Sequence, residues 1–269
     1  AQEGQVWYNS TSKTLKGFAM GASGGTWASA NDLNANTTDA AGLGTTTSAL
    51  VCGGSASYTD KVEEYDGTSW SEQNDGSTWT ATNPLLITGY GKGSAGSGSA
   101  SALSFGGDPV PARNSTESFD GTCWSSKNTL NTGRNYPGGT GSATAALCTG
   151  GNVPPHKQTE EWDGTSWTNV NSMSTSHGPS RAGSLQGPGG TTTSAIIFGG
   201  NSPANSTATE IWDGTSWTAG STLGTGRQQS TGAGTSTSAL AIGGAPSPGA
   251  RLLTEEWTGA LAIKTFTAT

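Results

Sequence analysis

Five short apolar segments, each ended by two glycines, constrain this 269-residue chain more than anything else in it. They read ALVCGG ending at Gly54, ALSFGG ending at Gly107, ALCTGG ending at Gly151, AIIFGG ending at Gly200 and ALAIGG ending at Gly244, at steps of 53, 44, 49 and 44 residues. Self-similarity at such a period marks a solenoid, a propeller or a repeat array. A short run that is apolar on consecutive residues fits a strand buried on both faces. The doublets Gly53–Gly54, Gly106–Gly107, Gly150–Gly151, Gly199–Gly200 and Gly243–Gly244 would end that strand. Glycine suits the place because it admits positive φ and close approach of a neighbouring backbone.

A second block follows each doublet after a variable loop. The blocks read VEEYDGTSW to Trp70, TESFDGTCW to Trp124, TEEWDGTSW to Trp167 and TEIWDGTSW to Trp217. The fifth, TEEWTGALAI, keeps Trp257 and lacks the later Trp. Asp66-Gly67, Asp120-Gly121, Asp163-Gly164 and Asp213-Gly214 predict hairpins with type I′ turns, which need positive φ at both central residues. A Gly/Ser/Thr stretch before each apolar segment, such as 232–237, supplies one more strand. Four strands in roughly 45 residues is the size of a propeller blade.

The N-terminal QVWYNSTSKTLKGF, Gln5 to Phe18, predicts two strands joined at Asn9–Ser12. Trp27, in GTWASANDLN, stands 43 residues before Trp70, and position 261 lies 44 residues beyond Trp217. The expected fold is all-β: a single propeller over 1–269, with a partial N-terminal blade in 1–44 and five repeats in 45–269. Six four-stranded blades sealed by terminal strands are the main expectation, because an open array would expose edge strands. Five blades with a separate N-terminal hairpin are the alternative.

Aliphatic residues are scarce, which alone would point to disorder. The 10 Trp at regular spacing oppose that. Only 12% of residues are charged and the formal net charge is -7. A chain so poor in Lys and Arg is not expected to grip nucleic acid or dock on anionic membranes. No apolar run approaches the roughly 18 residues needed to span a bilayer. No leader pattern is expected at Ala1. Cys52, Cys123 and Cys148 form neither a disulfide framework nor a CxxC pair, and read as small buried hydrophobes.

The order of glycine doublet, aromatic and Trp resembles the kelch repeat over about residues 45 to 260. That resemblance implies a kelch-like β-propeller with the doublet ending the second strand and the two aromatics on the third and fourth. The aromatic-to-Trp gap of five residues, as in Tyr65 to Trp70, is tighter than the usual kelch hairpin. TEEWDGTSW units after ALxFGG segments, with an opening such as GQVWYNSTSKTLKGF, are also similar to repeat proteins of marine bacteriophages and cyanophages. This second resemblance implies a virion or tail-fibre component at an extracellular or virion surface. Its partners would be other virion proteins or further copies of itself, together with a host-surface glycan or protein.

Catalytic motifs are not evident. His156 in VPPHKQ and His177 in TSHGPS read as solvated loop histidines, too few for a metal cluster. There is no P-loop ending and no DxDxDG calcium loop, so no cofactor or metal is indicated. Glu63-Glu64, Glu160-Glu161 and Glu255-Glu256, with Glu117 and Glu210, recur at one place per repeat. A glycosidase would need two carboxylates facing each other, whereas a residue repeated in every blade reads as scaffold. Arg134, Arg181 and Arg227, 16 to 18 residues before a doublet, are the expected partners of those acids. Trp27, Trp70, Trp124, Trp167 and Trp217 are expected to pack blade on blade, with sugar stacking, as in a propeller lectin, as the other reading. Binding is expected where the copies differ: the loops after the doublets and the segment Asn74 to Gly98 with Trp79 and Tyr90. Trp79, Tyr90, His156 and His177 are the candidate contact residues.

Overall fold

Each apolar segment forms the second strand of an antiparallel sheet in the computed structural model of the protein. The structure describes residues 6–9, 14–20, 25–34, 41–52, 62–72, 85–87, 89–98, 101–108, 112–177, 191–201, 205–245, 252–259 and 261–266. Blade 1 is β4 (Ala41–Thr45), β5 (Ser48–Cys52), β6 (Val62–Tyr65) and β7 (Trp70–Glu72). Blade 2 is β8 (Gly93–Gly98), β9 (Ser101–Phe105), β10 (Thr116–Phe119) and β11 (Trp124–Ser126). Blade 3 is β12 (Gly138–Gly141), β13 (Ala146–Thr149), β14 (Thr159–Trp162) and β15 (Trp167–Val170). Blade 4 shows β16 (Ala195–Phe198), β17 (Thr209–Trp212) and β18 (Trp217–Ala219), and the segment that would precede them, 178–190, lies outside the described residues. Blade 5 is β19 (Thr231–Thr235), β20 (Ser238–Ile242), β21 (Thr254–Thr258) and, from the other end of the chain, β3 (Thr26–Ala30).

The propeller therefore has five blades, not six. β3 pairs with β21 in antiparallel register, with Trp27 opposite Trp257. The N-terminus thus supplies the outer Trp that the fifth repeat lacks. In a closed ring, the place one step before blade 1's outer strand is the outer strand of blade 5. Linear spacing counts that strand as an extra blade. Position 261 opens β22 (Leu261–Phe266), which pairs with β2 (Thr14–Met20); β2 in turn pairs with β1 (Val6–Asn9). These three strands form a separate terminal sheet. The N-terminal hairpin stands as read from the sequence. The segment 1–44 is not a partial blade, since its strands are shared among the terminal sheet, blade 5 and blade 1.

Alternation of direction gives the ring two unlike faces. Strands one and two of a blade, and three and four, are joined by tight turns on one face. The connections after the doublets, and those from blade to blade, lie on the other, which we call the loop face. On the tight-turn face the Asp-Gly hairpins are four-residue loops. Asp66 Oδ1 accepts from the backbone N–H of Thr68 and Ser69, both at 2.8 Å, and Asp120, Asp163 and Asp213 repeat the pattern. Only the glycine carries positive φ, 92 to 95° at the four sites, so the expected type I′ turn is not formed. The Asp carboxylate satisfies the turn's N–H groups itself and removes the need for it. These N–H donors hold all four Asp carboxyls below the usual range.

Packing runs between blades. Phe105, Leu103, Leu130, Cys148, Trp162 and Trp167 share one buried cluster spanning blades 2 and 3. In every blade the aromatic of strand three meets the Trp of strand four, at centroid distances of 5.0 to 5.5 Å. The outer Trp also reaches the preceding blade: Trp167 Nε1 donates to Thr116 Oγ1, Trp217 Nε1 to Thr159 Oγ1 and Trp27 Nε1 to Thr209 Oγ1, at 2.9 to 3.1 Å. Large rings buried with their N–H bonded, as Trp27, Trp167 and Trp217 are, add hydrophobic area to a chain with few aliphatics. The described doublets have positive φ at both glycines, 60 to 70° and then 91 to 112°. Gly53 and Gly54 lie outside the described residues.

Candidate functional site

The repeated acid comes first because it looks most like chemistry. Glu63, Glu117, Glu160, Glu210 and Glu255 are the second residue of the third strand in the five blades, and all are buried. Each accepts backbone N–H groups of the loop arriving from the preceding blade. Glu160 takes Asn131 and Thr132, Glu255 takes Gly224 and Thr225, Glu210 takes Ser174 and Thr175, Glu117 takes Leu86 and Ile87, and Glu63 takes Asn34. The five acids thus sit one at each blade-to-blade junction, apart from one another. Each latches the arriving loop to the strand it sits on.

A basic side chain stands beside Glu160, Glu255, Glu210 and Glu117. Arg134 pairs with Glu160 and Arg227 with Glu255, fully buried, and each guanidinium also donates to the carbonyl of its doublet's first glycine, Gly150 or Gly243. In blade 4 His177 takes that place: Nδ1 lies 2.7 Å from the Gly199 carbonyl oxygen and Nε2 3.3 Å from Glu210 Oε1. His177 is therefore 1% exposed and is not the solvated loop histidine expected. Its ring replaces an arginine between the same two acceptors. In blade 2 Lys92 stands 3.8 Å from Glu117, and burial holds its ammonium below the usual range against the pull of that acid. Arg181 lies outside the described residues. Burial raises the Glu210 carboxyl, but hydrogen bonds from His177 and Ser174, with the N–H groups of Ser174 and Thr175, bring it down to about 2.

The other expected residues divide. Trp79 lies outside the described residues. His156 sits half-buried in the blade 3 loop, with Nδ1 3.0 Å from the Gly151 carbonyl oxygen. Cys148 is buried, which pushes its thiol up to about 12, but Cys123 is exposed in a tight turn and is not the buried hydrophobe expected. Tyr90 is 58% exposed on the loop face, where the chain enters blade 2. Its backbone forms a bridge with Asp108, both N–H···O distances being 2.9 Å. Asp108 Oδ1 accepts from Arg113 Nε at 2.9 Å and Oδ2 from Asn135 Nδ2 at 3.1 Å. The hydrogen bond to Asp108, with its charge, holds the Arg113 guanidinium above its usual range. Tyr136 packs against Tyr90, with ring centroids 6.3 Å apart. Of this cluster only Tyr90 was singled out from sequence. Asp108, Arg113, Asn135 and Tyr136 come from two blades, and nothing in their spacing marks them.

An open groove of about 400 Å³ on the tight-turn face, between blades 3 and 4, is lined by Asn169, Val170, Asn171, Trp212, Gly214 and Thr215. Its Gly and Thr belong to the repeated turn, and the Asn171 amide already donates to the Thr215 carbonyl at 2.9 Å. Among the described residues, no group of three or more His, Cys, Asp or Glu side chains is placed to hold a metal ion. The loop-face cluster around Tyr90 is thus the candidate site. No protein-family model matches the chain, and a search of curated proteins finds no match to it.

Proposed function

We propose that this protein is a non-enzymatic adhesion module of a virion surface. It would serve as tail fibre, spike or capsid decoration, and its loop face would bind a host-surface glycan or protein. The observation that carries this reading is the division of labour between repeated and unrepeated residues. Acids and bases that could do chemistry recur in register and are engaged in latching blade to blade. What differs between copies is concentrated in the loops of one face, the usual place of recognition on a rigid scaffold. The resemblance to phage repeat proteins supplies the biological setting. The test is mass spectrometry of purified source particles. A stoichiometric presence supports the reading, and absence from particles overturns the virion role.

A second reading, a secreted propeller lectin, is favoured by one observation, the exposed Tyr90 ring beside hydrogen-bonding side chains. Recovery of the chain from the culture medium but not from particles would select it.

A further inference from the structure

We propose that Tyr90, Tyr136, Asp108, Arg113 and Asn135 form a binding site for a neutral pyranose sugar on the loop face, at the junction of blades 2 and 3. This deepens the reading given above and rests on the loop face being the binding face. Leu86 and Tyr90 are the large apolar side chains that stand exposed among the described residues, 61% and 58%, and both lie on the segment leading from blade 1 into blade 2. Rigid tyrosines are favoured contact residues because they lose little entropy on binding.

The ring is held in place. The two backbone bonds to Asp108 fix Tyr90 at its Cα, and Tyr136 supports its side. Tyr136 can come so close because residue 91 is glycine: a Cβ there would stand 2.7 Å from the Tyr136 ring, and the backbone has φ 61°. The Asp108 side chain is 17% exposed and each of its oxygens already has one fixed donor. A carboxylate offers about four lone-pair sites, so each oxygen can accept one hydroxyl more. Asp108 and the half-exposed Arg113 cancel in charge. The result is a flat apolar ring beside a preorganised acceptor pair and a planar donor, with no net charge. The C–H face of a pyranose fits the ring and its vicinal hydroxyls fit the polar edge. A sialylated or sulfated sugar gains nothing from a neutral site.

The cluster is not scaffold. The same backbone bridge recurs in blade 5 as Gln228 with Ala245, where there is neither ring nor acid. Blade 5 closes without them, so the structure has no need of Tyr90 or Asp108 at that place.

The full chain would be tested on an array of galactose-, glucose-, mannose- and N-acetylhexosamine-terminated glycans together with sialylated and sulfated ones. The same preparation would be tested for coating of host cells. Tyr90→Ala and Tyr90→Phe would be compared at equal melting temperature, which exposure of Tyr90 permits, and Asp108→Ala with its melting temperature measured alongside. We expect binding to a neutral class, weakened about tenfold or more by Tyr90→Ala and by Asp108→Ala and largely kept by Tyr90→Phe. Binding only to sialylated or sulfated glycans overturns the inference, as does a Tyr90→Ala variant that binds like the parent. An empty array with host cells still coated removes the sugar site and leaves the adhesion reading standing. An empty array with uncoated cells removes both.

Discussion

Trp27 lies directly opposite Trp257 across the β3–β21 ladder, with ring centroids 5.5 Å apart. Trp27 also meets Phe198 edge-on at 5.0 Å and donates to Thr209 in blade 4. A residue near the N-terminus thereby ties blade 5 to blade 4. Trp27→Ala is expected to destabilise the protein by about 3 kcal/mol, within the range for large-to-small aromatic changes. Trp27→Phe should cost less, since it keeps the ring contacts and loses the hydrogen bond. Urea midpoints of the three proteins check the order.

Removing one partner of a buried ion pair leaves the other charge without compensation. Arg134→Met is therefore expected to cost about 3–5 kcal/mol, because Glu160 stays in a fully buried place. The double variant Arg134→Met with Glu160→Met should recover part of this loss in stability. A double-mutant cycle by denaturant unfolding measures the coupling.

Acid should unlatch the ring. Glu210 in the folded protein titrates at about 2, below the ordinary 4.5. A depressed carboxyl stabilises the fold above the unfolded value and loses that contribution as pH falls through the folded one. Stability from Glu210 is thus complete above pH 4.5 and is lost on the way to pH 2. The turn residues Asp66, Asp120, Asp163 and Asp213 act in the same direction below their ordinary 3.8. Melting temperature measured from pH 6 down to pH 2 should fall less steeply for Glu210→Gln than for the parent.

One junction can be improved. Thr116, Thr159 and Thr209 each receive the outer Trp N–H of the next blade. Blade 1 has Val62 at the corresponding first position of β6. Val62→Thr would restore the repeated pair and is expected to stabilise the protein by about 0.5–1.5 kcal/mol, the net value of one hydrogen bond. Val62→Ala, which lowers strand propensity without adding a hydroxyl, should destabilise. Thermal unfolding distinguishes the two signs.

Much of the blade was legible because its signals are local. Gly106–Gly107 and its counterparts need positive φ, and the aromatic and Trp flanking Asp120-Gly121 must lie opposite each other. Sealing by terminal strands was legible but the blade count was not, because Trp27 pairs with Trp257 across the two ends of the chain, and a one-dimensional period cannot tell first from last in a ring. The latching basic side chain was legible only where it kept its place. Arg134 and Arg227 stand 16 residues before the glycine carbonyl they bind, but His177 stands 22 before Gly199 and reaches the same spot from another turn of the chain. The cluster at Tyr90 was half-read, since its polar members are brought together by the junction of two blades.

Blade 5 lacks the Asp-Gly-Thr-Ser turn, and in its place β21 and β3 run on toward β22 and β2. The terminal sheet therefore leaves the ring on the side opposite the loops. A pull between that sheet and whatever the loops hold would travel along β21 and load its ladder with β20 in the direction of the strands. All five residue pairs from Ser238–Thr258 to Ile242–Thr254 would then resist together rather than open one by one. The point where the chain closes on itself is also the point through which the molecule would carry mechanical tension.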